Sequence, residues 1–165
     1  MIETILATDI SSHTKNLNTL KTKLDTFGVK KGKNVNNLIY DDNVIKTYEN
    51  QQAVLSMCIH SADISNSAKV ENIQKTWIDL EFEELFEQGD IELKQGLPVS
   101  LLCDRKTICI YKYKIGFIKF AVLPTFECLV DIMPEIGMYV DVINDNIVKY
   151  EILANKEIEH EVKHK

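Results

Sequence analysis

Only three prolines and six glycines occur among the 165 residues. So few helix breakers suit long helices joined by short loops. Cysteine is equally sparse. Cys58, Cys103, Cys109 and Cys128 contain no Cys-x2-Cys spacing, which argues against a zinc knuckle. Basic charge is in deficit, with 19 Lys and Arg against 25 Asp and Glu and a formal net charge of -6. That balance excludes sequence-independent binding to nucleic acid or to an anionic membrane. No apolar run approaches the roughly 20 residues of a membrane helix. The start, Met1-Ile2-Glu3-Thr4, has neither a basic region nor a leader-like apolar core. No secretory signal is therefore expected. The expectation is an intracellular chain with reduced thiols, in the cytoplasm or in a cytoskeletal assembly.

What the chain does have is an ordinary globular balance, 45% hydrophobic and 27% charged, enough to bury a sizeable core. The length favours one compact domain over about 1–154, followed by a polar, charged tail over 155–165. Ile2, Ile5, Leu6, Ile10, Leu17, Leu20, Leu24 and Phe27 recur mostly at three or four residues and predict a first helix. Gly28 and Lys30, Lys31 and Lys33 mark its stop, and a loop is expected over about 28–43. A second helix is expected over 44–61 and a third over 70–93, followed by a turn at Gly96-Leu97-Pro98. The stretch 107–123 is dense in Ile, Tyr, Phe and Val; propensity favours strand, and periodicity does not decide. Helical stretches are expected again over 125–133 and from Pro134 to about Ala154.

Four constellations have the material for chemistry. His60-Ser61-Ala62-Asp63-Ile64-Ser65-Asn66 sets a carboxylate and an imidazole at the end of an apolar helix. Such groups ligate metals, but alone they read more readily as a capping or turn aspartate beside a hydrogen-bonded histidine. Asp9 and His13 are four apart and so share a helix face, as half of a metal site or, more simply, as an ion pair. The acidic run from Glu83 to Asp90 reads as a solvated face. Cys103, in Ser100-x2-Cys103-Asp104-Arg105, reads as a buried inert thiol rather than a nucleophile.

Taken in order, these segments resemble one family, the class I cyclic nucleotide phosphodiesterases. The matching residues are Leu6-Ala7-Thr8-Asp9 with His13, then His60 through Asn66, then Trp77 with Glu83-Glu84-Leu85-Phe86-Glu87-Gln88-Gly89-Asp90. They continue with Gly96, Ser100 and Cys103-Asp104-Arg105, and end at Gly116-Phe117-Ile118. The resemblance runs over roughly residues 3–135, with a gap near 30–45.

The resemblance implies an all-α fold, a compact helical bundle forming the C-terminal part of the phosphodiesterase catalytic domain, with a helix rather than a strand over 107–123. It implies hydrolysis of cyclic AMP or cyclic GMP to the 5′-monophosphate, with zinc and magnesium or manganese as divalent cofactors. Two His and two Asp hold those ions in the family, and the last of these ligands falls on Asp63. Glu84 falls on the glutamate that orients the general-acid histidine. Thr8 and Asp9 line the metal–water shell, and Asn66 and Phe117 line the nucleotide pocket, with Phe117 stacking on the base.

The departures are as specific as the matches. The general-acid histidine and the other three metal ligands belong to upstream H-N-x2-H and H-D motifs. His13, His60, His160 and His164 begin neither. The chain alone is therefore expected neither to retain the two ions nor to hydrolyse. The family's purine-binding glutamine is Lys114 here, and the apolar clamp on the base is Glu81. A lysine has donors only and does not reproduce an amide's paired donor and acceptor. If the two face each other, an ion pair takes the purine slot. An obligate protein partner is expected to cover the face that half a helical domain leaves open, and it is either a chain carrying the missing half or a larger assembly in which this one is a structural subunit.

Overall fold

The computed structural model describes residues 2–26 and 47–163. Every regular element among them is helical. α1 spans Ile2–Leu6, α2 His13–Thr26, α3 Tyr48–Asp63, α4 Glu71–Lys94, α5 Ile110–Phe117, α6 Leu123–Val130 and α7 Gly137–Lys163. Short 3-10 turns at Ile10–Ser12, Ser65–Ala68 and Pro134–Ile136, and one π turn at Ile118–Val122, link them. No helix among the described residues is long and apolar enough to cross a membrane. The chain divides into two compact units, Met1–Ser65 with Lys119–Asp141, and Asn66–Ile118 with Val142–Lys165.

In the first unit, the stripe Leu17, Leu20 and Leu24 of α2 packs with Met57 of α3 and with Cys128, Leu129 and Ile132 at α6. The expected continuous first helix is interrupted. The Asp9 carboxylate accepts a hydrogen bond from the Ser11 amide and caps the 3-10 turn that precedes α2. A short acidic side chain gains more by capping than by continuing a helix, and here that gain wins over the apolar period. α3 is capped by Thr47, whose hydroxyl accepts from the Asn50 amide. The expected loop at 28–43 and the expected helix start at Val44 lie outside the described residues.

In the second unit, α4 ends as the Gly96 signal predicts. Gly96 takes a positive φ of 71°, and the Leu97 amide turns back to the Glu92 carbonyl at 2.9 Å. This is a Schellman stop. The following loop is tied to the last turns of the same helix. Glu92 accepts from the Ser100 amide and hydroxyl, and Arg105 donates to Asp90 while lying 5.0 Å over the Phe86 ring. Asn146 of α7, buried, donates to the carbonyls of Ser67 and Lys69. Residues 107–123 hold a helix and a π turn, not a strand, as the family resemblance implies. Ile118, Ala121 and Val122 are fully buried, and that burial overrides β propensity. α7 runs through residue 163, so the polar tail continues the last helix instead of leaving it at Ala154.

Gly89, which weakens the helix signal in the sequence, has a packing reason. A Cβ there would stand 2.1 Å from the Cys103 carbonyl oxygen. The clash is with backbone, so relief requires moving the loop. Gly89→Ala is therefore expected to destabilise the chain by about 1–3 kcal/mol, despite the roughly 1 kcal/mol that alanine gains in a helix. A urea midpoint at or above wild type would show that the loop yields freely.

Candidate functional site

Thr8, Asp9 and Asp63 belong to the first unit. The Thr8 hydroxyl donates to the Ile5 carbonyl at 2.9 Å, closing the end of α1. Asp9 is exposed, and its bond from the Ser11 amide holds the carboxyl below the usual range. It does not pair with His13. The 3-10 turn between them removes the shared helix face that spacing alone suggests. His13 is turned inward instead, only 1% exposed, with its Nδ1 2.9 Å from Nε2 of the equally buried His60. The ring centroids are 5.1 Å apart, and the Phe120 ring packs 5.5 Å from His13. One proton serves this bond, donated by whichever ring holds it.

Burial pushes both imidazoles below their ordinary value. His60 and, more weakly, Lys21 act on His13 in the same direction as burial. Asp63 and the Thr8 main chain pull His60 the other way, as the Phe120 main chain does for His13. Nδ1 of His60 is buried and makes no hydrogen bond. Asp63 is exposed as the last residue of α3, so it is not an N-cap. A carboxylate there opposes the negative end of the helix dipole, at a cost of a few tenths of a kcal/mol up to about 1. Local helix energetics give no reason for it.

The histidine pairing was not read from the sequence, although a signal exists. Stepping back four residues along Leu17, Leu20 and Leu24 lands on His13, and three forward from Met57 lands on His60. Both extend buried stripes.

Asn66, Glu81, Glu84, Lys114 and Phe117 belong to the second unit. Lys114 and Glu81 do face each other: Nζ donates to Glu81 Oε2. The lysine side chain is 5% exposed and the glutamate 40%. The ammonium also lies 5.8 Å from the Phe82 ring centroid, and Tyr113 meets the same ring edge-on. Asn66 sits in the Ser65–Ala68 turn with a buried Oδ1 that has no partner. Gln74, 1% exposed, reaches toward the Asn66 carbonyl at 3.5 Å and is a buried polar group that sequence reasoning missed. Phe117 is half-buried at the end of α5, and Glu84 is exposed on the acidic face of α4. Cys103 is buried and its thiol is pushed up, first by burial and then by Glu92, which suits an inert residue.

Among the described residues, no three His, Cys, Asp or Glu side chains converge to hold a metal ion. The residues present do not by themselves fit the divalent ions that the resemblance implies.

Comparison with known proteins agrees with the motif order. The family model described as 3′5′-cyclic nucleotide phosphodiesterase matches residues 1–143. The chain belongs to this family. It is 34% identical over 147 residues to the 3′,5′-cyclic-AMP phosphodiesterase 4C of Rattus norvegicus, covering 88% of this chain and 26% of that protein. It is 36% identical over 132 residues to the dual specificity calcium/calmodulin-dependent 3′,5′-cyclic nucleotide phosphodiesterase 1B of Mus musculus, covering 80% and 21%. Among solved structures, LmjPDEB1 in complex with IBMX superposes with a TM-score of 0.75 at 27% identity, covering 94% of this chain and 42% of that one. The chain thus spans about a quarter or less of the phosphodiesterases it matches in sequence.

Two predictions follow from these geometries. Both histidines have lowered folded pKa values, so the unfolded chain binds more protons below about pH 6.5. Their contribution is complete above that value and is lost as pH falls from it through the folded values. Urea midpoints should therefore drop between pH 7 and 5, and a His13→Phe, His60→Leu double variant should show a flatter profile. A profile that does not change with pH would mean that the rings take up protons in the fold as readily as in the unfolded chain. For the ion pair, Glu81→Ala strands a buried ammonium and should cost about 2 kcal/mol, below the full buried-pair value because Glu81 is partly wet. The double change Glu81→Leu with Lys114→Met should remain within about 1 kcal/mol of wild type, measured by the same unfolding curves.

Proposed function

We propose that this chain supplies part of a metal-dependent cyclic nucleotide phosphodiesterase site and does not complete that site alone. The observation that carries the reading is the set of five family motifs in family order, within a helical fold that superposes on a phosphodiesterase. In this reading Asp63 is a ligand for a divalent ion, zinc or magnesium or manganese. An exposed carboxylate at the unfavourable end of α3 supports it, since a cation brought there removes the electrostatic cost. Glu84 orients a histidine acid, Thr8 and Asp9 order water beside the ion, and Asn66 with Phe117 faces the nucleotide. One carboxylate does not hold two ions, so further ligands have to converge from elsewhere, and no reaction step is assigned to the metals on these residues.

The surface supports a partner. Ile2, Ile5, Leu6 and Ile10 are all exposed, as are Leu55 and Ile59 on α3 of the same unit. Apolar side chains left exposed in this number on one unit support a docking surface. The solved relative contains more than twice the chain that aligns here. We assign the cover to a helical segment carrying the H-N-x2-H and H-D motifs.

A second reading, a degenerate structural subunit, is favoured by the Glu81–Lys114 pair. It occupies the two positions where the family binds and clamps the base, and it offers a purine no matched donor and acceptor. Assay separates the two. With zinc and magnesium supplied, the isolated chain is expected to leave cyclic AMP and cyclic GMP intact. Addition of a chain bearing the two upstream motifs should restore turnover, and Asp63→Asn should abolish it by at least about a hundredfold. Turnover by the isolated chain that Asp63→Asn removes would overturn the split-site reading. A stable complex without turnover would favour the structural one.

A further inference from the structure

His60 stands at a junction. It lies one helical turn before Asp63 on α3, and its Nε2 meets Nδ1 of His13 at the first residue of α2. The Thr8 main chain also acts on the ring, against the effect of burial. Thr8 and Asp9 immediately precede the turn that leads into His13, and their own hydrogen bonds are local, from the Thr8 hydroxyl to the Ile5 carbonyl and from the Ser11 amide to the Asp9 carboxylate, both at 2.9 Å. The Thr8 amide reaches the Ile5 carbonyl at 3.1 Å and the Asp9 amide reaches Leu6 at 3.3 Å. α1 itself has five residues and no buried side chain. The side-chain bond between α1 and α3 lies toward the other end of α3, where Gln52 Nε2 donates to the Thr4 hydroxyl at 2.8 Å; the His13–His60 bond acts at the Asp63 end. The imidazole pair, by contrast, is sealed from water, where a hydrogen bond is stronger and its loss costs more.

Resting on the phosphodiesterase reading above, we infer that His60 and His13 are positioning residues: their hydrogen bond latches the Thr8–Asp9 turn to the Asp63 end of α3. A generic core pair would stabilise all of the first unit. A latch acts locally, on residues 7–12 and 61–64, and hardly on the Leu20–Met57 core behind it.

Amide hydrogen exchange on the full 165-residue chain tests this without any activity. In His60→Leu, exchange over residues 7–12 should rise at least about tenfold, while the amides of Leu20 and Met57 stay within about twofold of wild type. His60→Gln retains a polar group near Nε2 and should recover most of the protection. An equal rise across α2 and α3, or none at 7–12, would overturn the latch. If His60→Leu does not fold, the wild-type chain still decides. A scalar coupling across the nitrogen–nitrogen bond between the two rings is expected, and its absence below the exchange limit would overturn the proposal.

With a complementing chain, His60→Leu should lower kcat about tenfold with KM unchanged, as a misplaced shell does, and His60→Gln should restore it. Unchanged kcat would refute positioning. If no combination turns over while exchange is still local, the phosphodiesterase reading fails and the latch stands.

Discussion

Two imidazoles buried against each other impose a demand that an aliphatic pair would not. Each of their nitrogens either finds a partner or bears a desolvation cost. His13 Nδ1 and His60 Nε2 meet that demand through one shared proton, with the Phe120 ring beside them, while Nδ1 of His60 bears the cost. The bond joins the start of α2 to the last turn of α3. Leu17, Leu20, Leu24 and Met57 then follow at the helical period and pack as a core of their own, whereas the placement of the Thr8–Asp9 turn is what the imidazole bond is inferred to hold.

The second unit is organised by a different polar choice. The Lys114 ammonium is almost fully buried and tolerable there only because Glu81 accepts from it and the Phe82 ring lies under it. By the resemblance, Glu81 and Lys114 both stand at positions the family uses to contact a base. Each alone would leave an unpaired charge, whereas together they compensate. The Asn66 amide oxygen nearby in sequence to the metal motif keeps its family identity but has no partner.

The long helices were legible from periodicity and punctuation. α4 starts and stops within one residue of expectation, because its apolar stripe is long and Gly96 provides the positive φ that ends it. The strand-like stretch at 107–123 was not legible from local propensity. Ile118, Ala121 and Val122 are fully buried as a helical turn, and only the family resemblance anticipated that. The break at Asp9 and the run of α7 to residue 163 were missed for opposite reasons. A single capping carboxylate outweighed a good apolar pattern in one case, and a polar composition concealed a helix in the other.

The residue types and order by themselves determined the family, the helical class and the identity of Asp63, Glu84, Asn66 and Phe117 as positions of interest. These are properties of spacing along the chain. The tertiary structure decided which polar groups are sealed from water and with whom. It turned His13 away from Asp9 and onto His60, closed Lys114 on Glu81, and gave Gly89 its reason in a carbonyl fourteen residues away. Those outcomes depend on desolvation and close packing between segments distant in sequence, and no local pattern of residues encodes either.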